Sequence, residues 1–87
     1  MHEASLIAGL MRRVEEISRR ENATRVVAVS VWLGALSHMS ADHFAEHFTE
    51  AAKGTLAEGA QLHTTVSDDV EHPHAQDLVL ESVEVET

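Results

Sequence analysis

The chain of 87 residues has no cysteine at all. It can therefore form no disulfide, cannot use a thiolate as a nucleophile and cannot hold zinc through cysteine ligands. Any metal ion would have to be bound by nitrogen and oxygen atoms. Such ligands are plentiful, because the chain has seven histidines and fifteen Asp and Glu residues.

Basic residues are also scarce, and they are confined to the first part of the chain. Residues 1–53 hold all six Lys and Arg, whereas residues 54–87 hold eight acidic side chains and no Lys or Arg. Most of the formal net charge of −9 therefore lies in the last third. An anionic surface repels nucleic acid and anionic lipid, so we expect neither as a partner. It suits metal cations or a basic protein, although solubility alone would also explain it.

Long apolar runs are missing as well. No segment approaches the roughly 20 apolar residues that span a bilayer, and no charged segment followed by an apolar one marks a signal peptide. We therefore expect one cytoplasmic domain over residues 1–87, with no membrane association. No Ser/His/Asp order, glycine-rich phosphate loop or pair of buried carboxylates can be argued either, so we expect no catalytic activity.

The first part of the chain predicts a helix followed by a central strand. From His2 to about Asn22 the apolar residues recur at helical spacing, and Asn22 is a residue type that ends helices. The apolar stripe consists of Leu6, Ile7, Leu10, Met11, Val14 and Ile17. The arginine pairs at 12–13 and 19–20 lie outside this stripe. They either form the solvated face of the helix or dock an acidic partner.

Residues Thr24 to Leu33 are dense in β-branched side chains, and both faces of this segment are apolar, which predicts a central strand that ends at Gly34. Trp32 is interpreted as a core residue. One face carries Val27, Val29, Val31 and Leu33, and the other carries Val26, Ala28, Ser30 and Trp32.

The second part of the chain predicts one more helix and two more strands. Ser40 is a suitable N-cap for a helix that runs to about Lys53 and is followed by Gly54. Its apolar side consists of Phe44, Phe48, Ala51 and Ala52. Strands are predicted at Gln61–Val66 and Leu78–Val85, with an acidic loop, Ser67–Gln76, between them.

The last strand is irregular, because Leu78 and Leu80 are out of phase with Val83 and Val85. We therefore expect either a β-bulge near Glu81 or burial on both faces. The element order is αβαββ. It predicts an α+β fold in which two helices cover one face of a three-stranded mixed sheet.

Four segments, in this order, resemble the hydrogenase maturation nickel metallochaperone family (HypA/HybF). They are Met1–Leu6, Leu33–Ser37, Gly54–Leu62 and Ser82–Glu86. The resemblance covers residues 1 to about 66 and about 77 to 86. It implies a nickel-binding domain of the αβαββ kind that uses the N-terminal Met1, His2 and Glu3 as its Ni(II) ligands.

The chain departs from this family between its last two strands. Family members normally carry a zinc domain with two Cys-x-x-Cys pairs there, and in this chain the acidic loop 67–76 takes its place. We therefore expect no structural zinc. The resemblance further implies two partners, a nickel-enzyme precursor such as the hydrogenase large subunit and an accessory GTPase on a separate chain. Whether the chain is a monomer or a homodimer stays open.

The N-terminus offers its own chemical argument for nickel. An α-amine, the adjacent backbone amides and a nearby imidazole form fused chelate rings that suit square-planar Ni(II) or Cu(II). Met1 should be retained before the bulky His2 and so keep its free amine. A His at position two leaves the ligand set incomplete, which makes release easier. Glu3, a distant side chain or the receiving protein would complete it. The alternative is an ordinary translational start with a helix-favouring acid.

Other histidines provide further candidates. His38 and Asp42 are possible distant ligands, because the family carries a loop near its nickel site at this point. His43 and His47 have the i, i+4 spacing that allows chelation, but His47 could simply pack beside Phe44 and Phe48 and His43 could be solvated. The segment 72–74 is either an auxiliary metal site or part of a solvated loop.

The sequence thus predicts a nickel metallochaperone that serves a nickel enzyme, with a [NiFe]-hydrogenase as the expected recipient. The rival hypothesis is a regulatory or assembly scaffold that binds no metal and docks on the hydrogenase precursor or on the accessory GTPase.

Overall fold

The computed structural model describes residues 3–87, and of Glu3 it describes the backbone only. It contains helix α1 (Glu3–Arg20), strand β1 (Arg25–Leu33), helix α2 (Ala41–Ala52), strand β2 (Gln61–Val66) and strand β3 (Leu78–Glu86). The predicted order αβαββ is confirmed. In this part of the chain no helix combines the length and the apolarity needed to cross a membrane.

The three strands form one mixed sheet in the order β2-β1-β3. Strand β1 is parallel to β2 and antiparallel to β3. Parallel neighbours need a long connection, and α2 provides it between β1 and β2. The apolar sides of both helices and one face of the sheet form a single core cluster, so the predicted two-helix, three-strand α+β architecture is confirmed. Its buried members are Ile7, Leu10, Val14, Val26, Val29, Val31, Leu33, Met39, Phe44, Phe48, Ala52 and Ala57.

A β-bulge at Glu81 confirms the irregularity expected in β3. Ser30 of β1 pairs with Ser82, but the next residue, Val31, pairs with Leu80, so Glu81 is the extra residue. The side-chain alternation shifts by one residue at this point. Four apolar residues of the strand, Leu78, Leu80, Val83 and Val85, consequently pack against the core.

A second bulge, in β1, overturns the predicted assignment of faces. Val26 pairs with Val85 and Ala28 with Glu84, which leaves Val27 without a position of its own in the ladder. Val26 therefore turns to the core face and is only 1% exposed, whereas Val27 is half-buried. We predicted that Val26 and Val29 lie on different faces of the sheet, and this was wrong. Both faces of β1 are apolar, so the sequence does not reveal that the bulge shifts the side-chain alternation by one residue.

Trp32 is likewise not a core residue. It is half-buried, and it lies on the face opposite its fully buried neighbours Val31 and Leu33. Its ring packs against that of His72, with 4.8 Å between the centroids.

The helix ends follow capping rules. The backbone N–H of His43 donates to Ser40 Oγ at 3.1 Å, which confirms Ser40 as the N-cap of α2, and Gly54 follows this helix with a positive φ of 78°. Ala51 is exposed, contrary to prediction, since Ala52 takes the buried position. Helix α1 ends at Arg20, before Asn22, whose φ of 54° stops the helix.

Candidate metal-binding end of the domain

Helix α1 starts at the end of the domain where β1 finishes and β3 begins. Its first turns, at Ser5, Leu6 and Gly9, border a groove whose other wall is the start of β3, residues 78–80. Its last turns border a groove with Val26 at the start of β1. The helix therefore runs antiparallel to β1, and its N-terminus lies beside the carboxyl end of that strand.

Two chain connections meet at the same end. Residues 34–40 lead from β1 into α2, and residues 67–77 lead from β2 into β3. They are joined by backbone hydrogen bonds, because the N–H of Gly34 donates to the carbonyl of Asp77 at 2.9 Å and the N–H of Leu36 donates to that of Ala75 at 2.7 Å. The N-terminal ends of both helices and both connections thus share one end of the domain, which we call the connection end.

The predicted N-terminal ligands lie mainly outside the described residues. Met1 and His2 are outside, and Glu3 is the first residue of α1, with only its backbone described. The nickel chelate predicted from these three residues therefore remains a prediction. The fold shows that α1 begins at Glu3 beside the two connections.

The predicted extra ligands, His38 and Asp42, are both exposed at the connection end. His38 lies in the β1–α2 connection and has a positive φ of 63°, which is uncommon for a residue with a side chain. Asp42 lies in the first turn of α2. Among the described side chains, those of residues 4–87, no three of His, Asp or Glu lie close enough together to hold a metal ion. Any site that includes His38 or Asp42 would need donors from elsewhere.

The structure does bring His43 and His47 together. Their Nε2 atoms are 2.9 Å apart, and their ring centroids are separated by 4.6 Å. Both residues are exposed, so the interpretation of His47 as a packed side chain was wrong. The spacing of four residues places both on one side of α2, but the sequence could not show that the two rings meet. We refer to these residues as the α2 histidine pair.

The acidic connection is largely exposed, as predicted for a solvated loop, and local hydrogen bonds hold its backbone. The N–H of Asp69 donates to Ser67 Oγ, and the N–H of Glu71 donates to Asp69 Oδ1, at 3.1 and 3.0 Å. Ala75 is only 5% exposed and packs against Gly34.

The two histidines of this connection use their Nδ1 atoms in local contacts. His72 Nδ1 accepts the backbone N–H of His74 at 3.0 Å, and His74 Nδ1 lies 2.9 Å from Asp77 Oδ2. An imidazole whose Nδ1 accepts a hydrogen bond carries its proton on Nε2 when neutral, so His72 is poorly prepared to bind a metal ion. The contact between His72 and Trp32 was missed, and nothing in the local sequence signals it.

Comparison with known proteins gives the arrangement a family context. The profile described as "Hydrogenase/urease nickel incorporation, metallochaperone, hypA" matches residues 1–72. "Hydrogenase maturation factor HypA" of Pyrococcus horikoshii is 42% identical over 62 residues, which cover 71% of this chain and 45% of that protein. The protein of the same name from Methylocella silvestris is 39% identical over 62 residues, which cover 71% of this chain and 55% of that protein. The matched part of the chain thus spans about half the length of these relatives.

Solved structures agree on the fold. The solution structure of the Ni metallochaperone HypA from Helicobacter pylori superposes with a TM-score of 0.81 at 20% identity, and covers 99% of this chain and 98% of that one. A second structure, "Solution structure of HypA protein", gives a TM-score of 0.73 at 20% identity, with 98% and 96% covered. At this identity the likeness concerns the fold alone. Taken with the profile match over residues 1–72, it completes the case that the chain belongs to the HypA family of nickel-incorporation metallochaperones.

Proposed function

We propose that this protein binds Ni(II) through Met1, His2 and Glu3 and delivers it to the precursor of a nickel enzyme, a [NiFe]-hydrogenase. The observation that carries the proposal is the family match, which begins at residue 1 and so includes all three proposed ligands. Helix α1 starts at Glu3, which supports a ligand set attached directly to a packed element at the connection end.

The proposed coordination follows from covalent geometry. The Met1 amine, one or two backbone amides and the His2 imidazole form fused chelate rings around a square-planar ion. With His at position two this set is incomplete, so at least one position is filled by Glu3 or by a group from elsewhere. His38 and Asp42 are the proposed extra ligands, because both are exposed at the end where α1 begins. An incomplete set favours transfer, since a receiving protein can enter without first displacing a closed chelate.

The proposed partners are the hydrogenase large-subunit precursor and an accessory GTPase carried on a separate chain. The protein acts as a cytoplasmic carrier of its metal cargo and not as a catalyst. Residues 1–87 serve as one nickel-binding domain without structural zinc. Residues 67–76 join β2 to β3 at the position where other family members normally carry a zinc domain. The absence of cysteine supports this arrangement.

The proposal is tested by calorimetric nickel titration of protein that begins at Met1. We expect one tightly bound Ni(II) per chain, and loss of that tight site in His2→Ala. His63→Ala is the matched control, because His63 is an exposed histidine on β2. Equal nickel affinity in His2→Ala and the parent would refute the N-terminal chelate. No nickel binding by the parent would favour the scaffold hypothesis, in which the domain docks on the same partners without metal.

A further inference from the structure

The α2 histidine pair brings two potential metal ligands, both imidazole nitrogens, into contact outside the N-terminal region. The Nε2 atoms of His43 and His47 lie 2.9 Å apart on the exposed side of α2. Nε2 lies at the outer end of the imidazole ring, so the two rings meet at their tips. Two converging nitrogen donors form the core of a chelating site.

The measured separation also fits a particular coordination geometry. Metal–imidazole bonds are about 2.0–2.1 Å long, so two nitrogen ligands that subtend a right angle lie about 2.8–3.0 Å apart. Ligands at the tetrahedral angle would lie about 3.3–3.4 Å apart with the same bond lengths. The observed 2.9 Å therefore matches adjacent corners of a square-planar or octahedral ion. Nitrogen donors in that geometry are typical of Cu(II) and Ni(II).

We propose that His43 and His47 form a metal site of their own, which binds one Cu(II) or Ni(II) ion through the two Nε2 atoms. Since no third His, Asp or Glu among the described side chains of residues 4–87 joins them in a metal-binding group, solvent or donors outside that range fill the other positions. The proposed site uses none of the ligands proposed for the N-terminal chelate, and it does not require the proposed delivery function.

The same separation would fit a hydrogen bond in which one ring donates its Nε2 proton to the other. That arrangement is compatible with metal binding, because the donor ring can move its one proton from Nε2 to Nδ1, so that both Nε2 atoms present lone pairs to the ion. The rings need only small rotations, since the nitrogen atoms already have the required separation. The two explanations differ in one observable, which is whether added metal contacts both rings.

The test uses the full chain in a His2→Ala background, which removes the proposed N-terminal imidazole ligand. Cu(II) and Ni(II) are titrated separately, and Mg(II), which prefers oxygen ligands, is the negative control. We expect one ion per chain in this background for Cu(II) and for Ni(II), and loss of binding in His43→Gln and in His47→Gln. Glu46→Gln, an exposed position on the same helix, is the matched control and should bind as its parent does. Circular dichroism checks that each variant is folded.

Nuclear magnetic resonance of the histidine rings gives the second readout. Substoichiometric Cu(II) should broaden the ring signals of His43 and His47 before that of His63, which lies on β2. Binding retained in His43→Gln and His47→Gln, or equal broadening of all three rings, would overturn the proposal. So would complete loss of nickel and copper binding in His2→Ala, because the pair would then bind no ion on its own. Failure of the pair leaves the N-terminal proposal untouched, since that proposal is judged by the tight site of the parent protein.

Discussion

Gly34 is the residue that allows the two connections to meet. It is buried, and a Cβ atom built on it would collide with the backbone carbonyl of Ala75 and would lie 2.6 Å from the carbonyl oxygen of His74. Both obstacles are backbone atoms, so a rotamer change cannot remove them. The close approach also brings Leu36 N–H to the carbonyl of Ala75. The lack of a side chain at Gly34 therefore sets the shape of the connection end.

We predict that Gly34→Ala lowers the free energy of unfolding by about 1–3 kcal/mol, as overpacking of a close contact does. Gly9→Ala is the matched control, because Gly9 lies within α1 and a Cβ there meets only Arg12 Nη2 at 3.8 Å. That variant should gain about 0.5–1 kcal/mol from lower chain entropy. Urea denaturation measures both. A Gly34→Ala protein as stable as the parent would show that the connections separate easily.

At the scale of elements, β3 depends on its bulge. Without an extra residue at Glu81, strict alternation would place either Leu78 and Leu80 or Val83 and Val85 away from the core. The bulge keeps all four against the helices, and Glu81 itself is exposed. Glu81 thus affects the packing of the whole strand because its backbone adds one residue to the register, and not because of its side chain.

Deletion of Glu81 should therefore lower the free energy of unfolding by more than about 2 kcal/mol, because burying one Val or Leu side chain is worth about 1.5–3 kcal/mol. Glu81→Ala keeps the residue count, and its stability should stay within about 0.5 kcal/mol of the parent value, as for other surface substitutions. Thermal unfolding followed by circular dichroism compares the two. If both variants were equally stable, the bulge would not be what sets the register.

The helices and strands show which features of the structure could be predicted from the sequence. Periodicity predicted both helices and all three strands. In β3, the difference in phase between Leu78 and Leu80 on one side and Val83 and Val85 on the other predicted either a bulge near Glu81 or burial on both faces, and the bulge is what the structure has. The bulge at Val27 escaped prediction, since an apolar residue fits either face of β1. The contact between His43 and His47 was visible as a spacing, but the distance between two exposed rings depends on rotamers that the sequence does not specify. The N-terminal ligands were predicted from a family resemblance and from chelate chemistry.

At the scale of the whole molecule, the core needs no metal. Its buried members come from both helices and the sheet, and the proposed nickel ligands are the first three residues of the chain, of which Glu3 begins α1. The negative charge of the last third sits largely on β3 and on the connection between β2 and β3, on surfaces that the core does not use. Folding and nickel binding should therefore be separable events.

We predict that the metal-free and nickel-loaded proteins have the same far-ultraviolet circular dichroism. Nickel should still raise the melting temperature, because a ligand that binds only the native state stabilises it by about 2.7 kcal/mol at a hundredfold excess over Kd. The gain should shrink below neutral pH, as protons compete for the amine and the imidazole. A metal-free protein without secondary structure would contradict this prediction, since the ion would then be needed for folding.

The most direct test of the central claim concerns the α-amine of Met1. An N-terminal extension converts this amine into an amide and removes it as a ligand, while it leaves the side chains of His2 and Glu3 in place. Calorimetry at neutral pH compares nickel binding by the extended protein with binding by the same protein after cleavage to begin at Met1. We predict that the tight nickel site appears only after cleavage. Equal nickel affinity in the two forms would show that the α-amine is not a ligand, and would contradict the proposed N-terminal chelate.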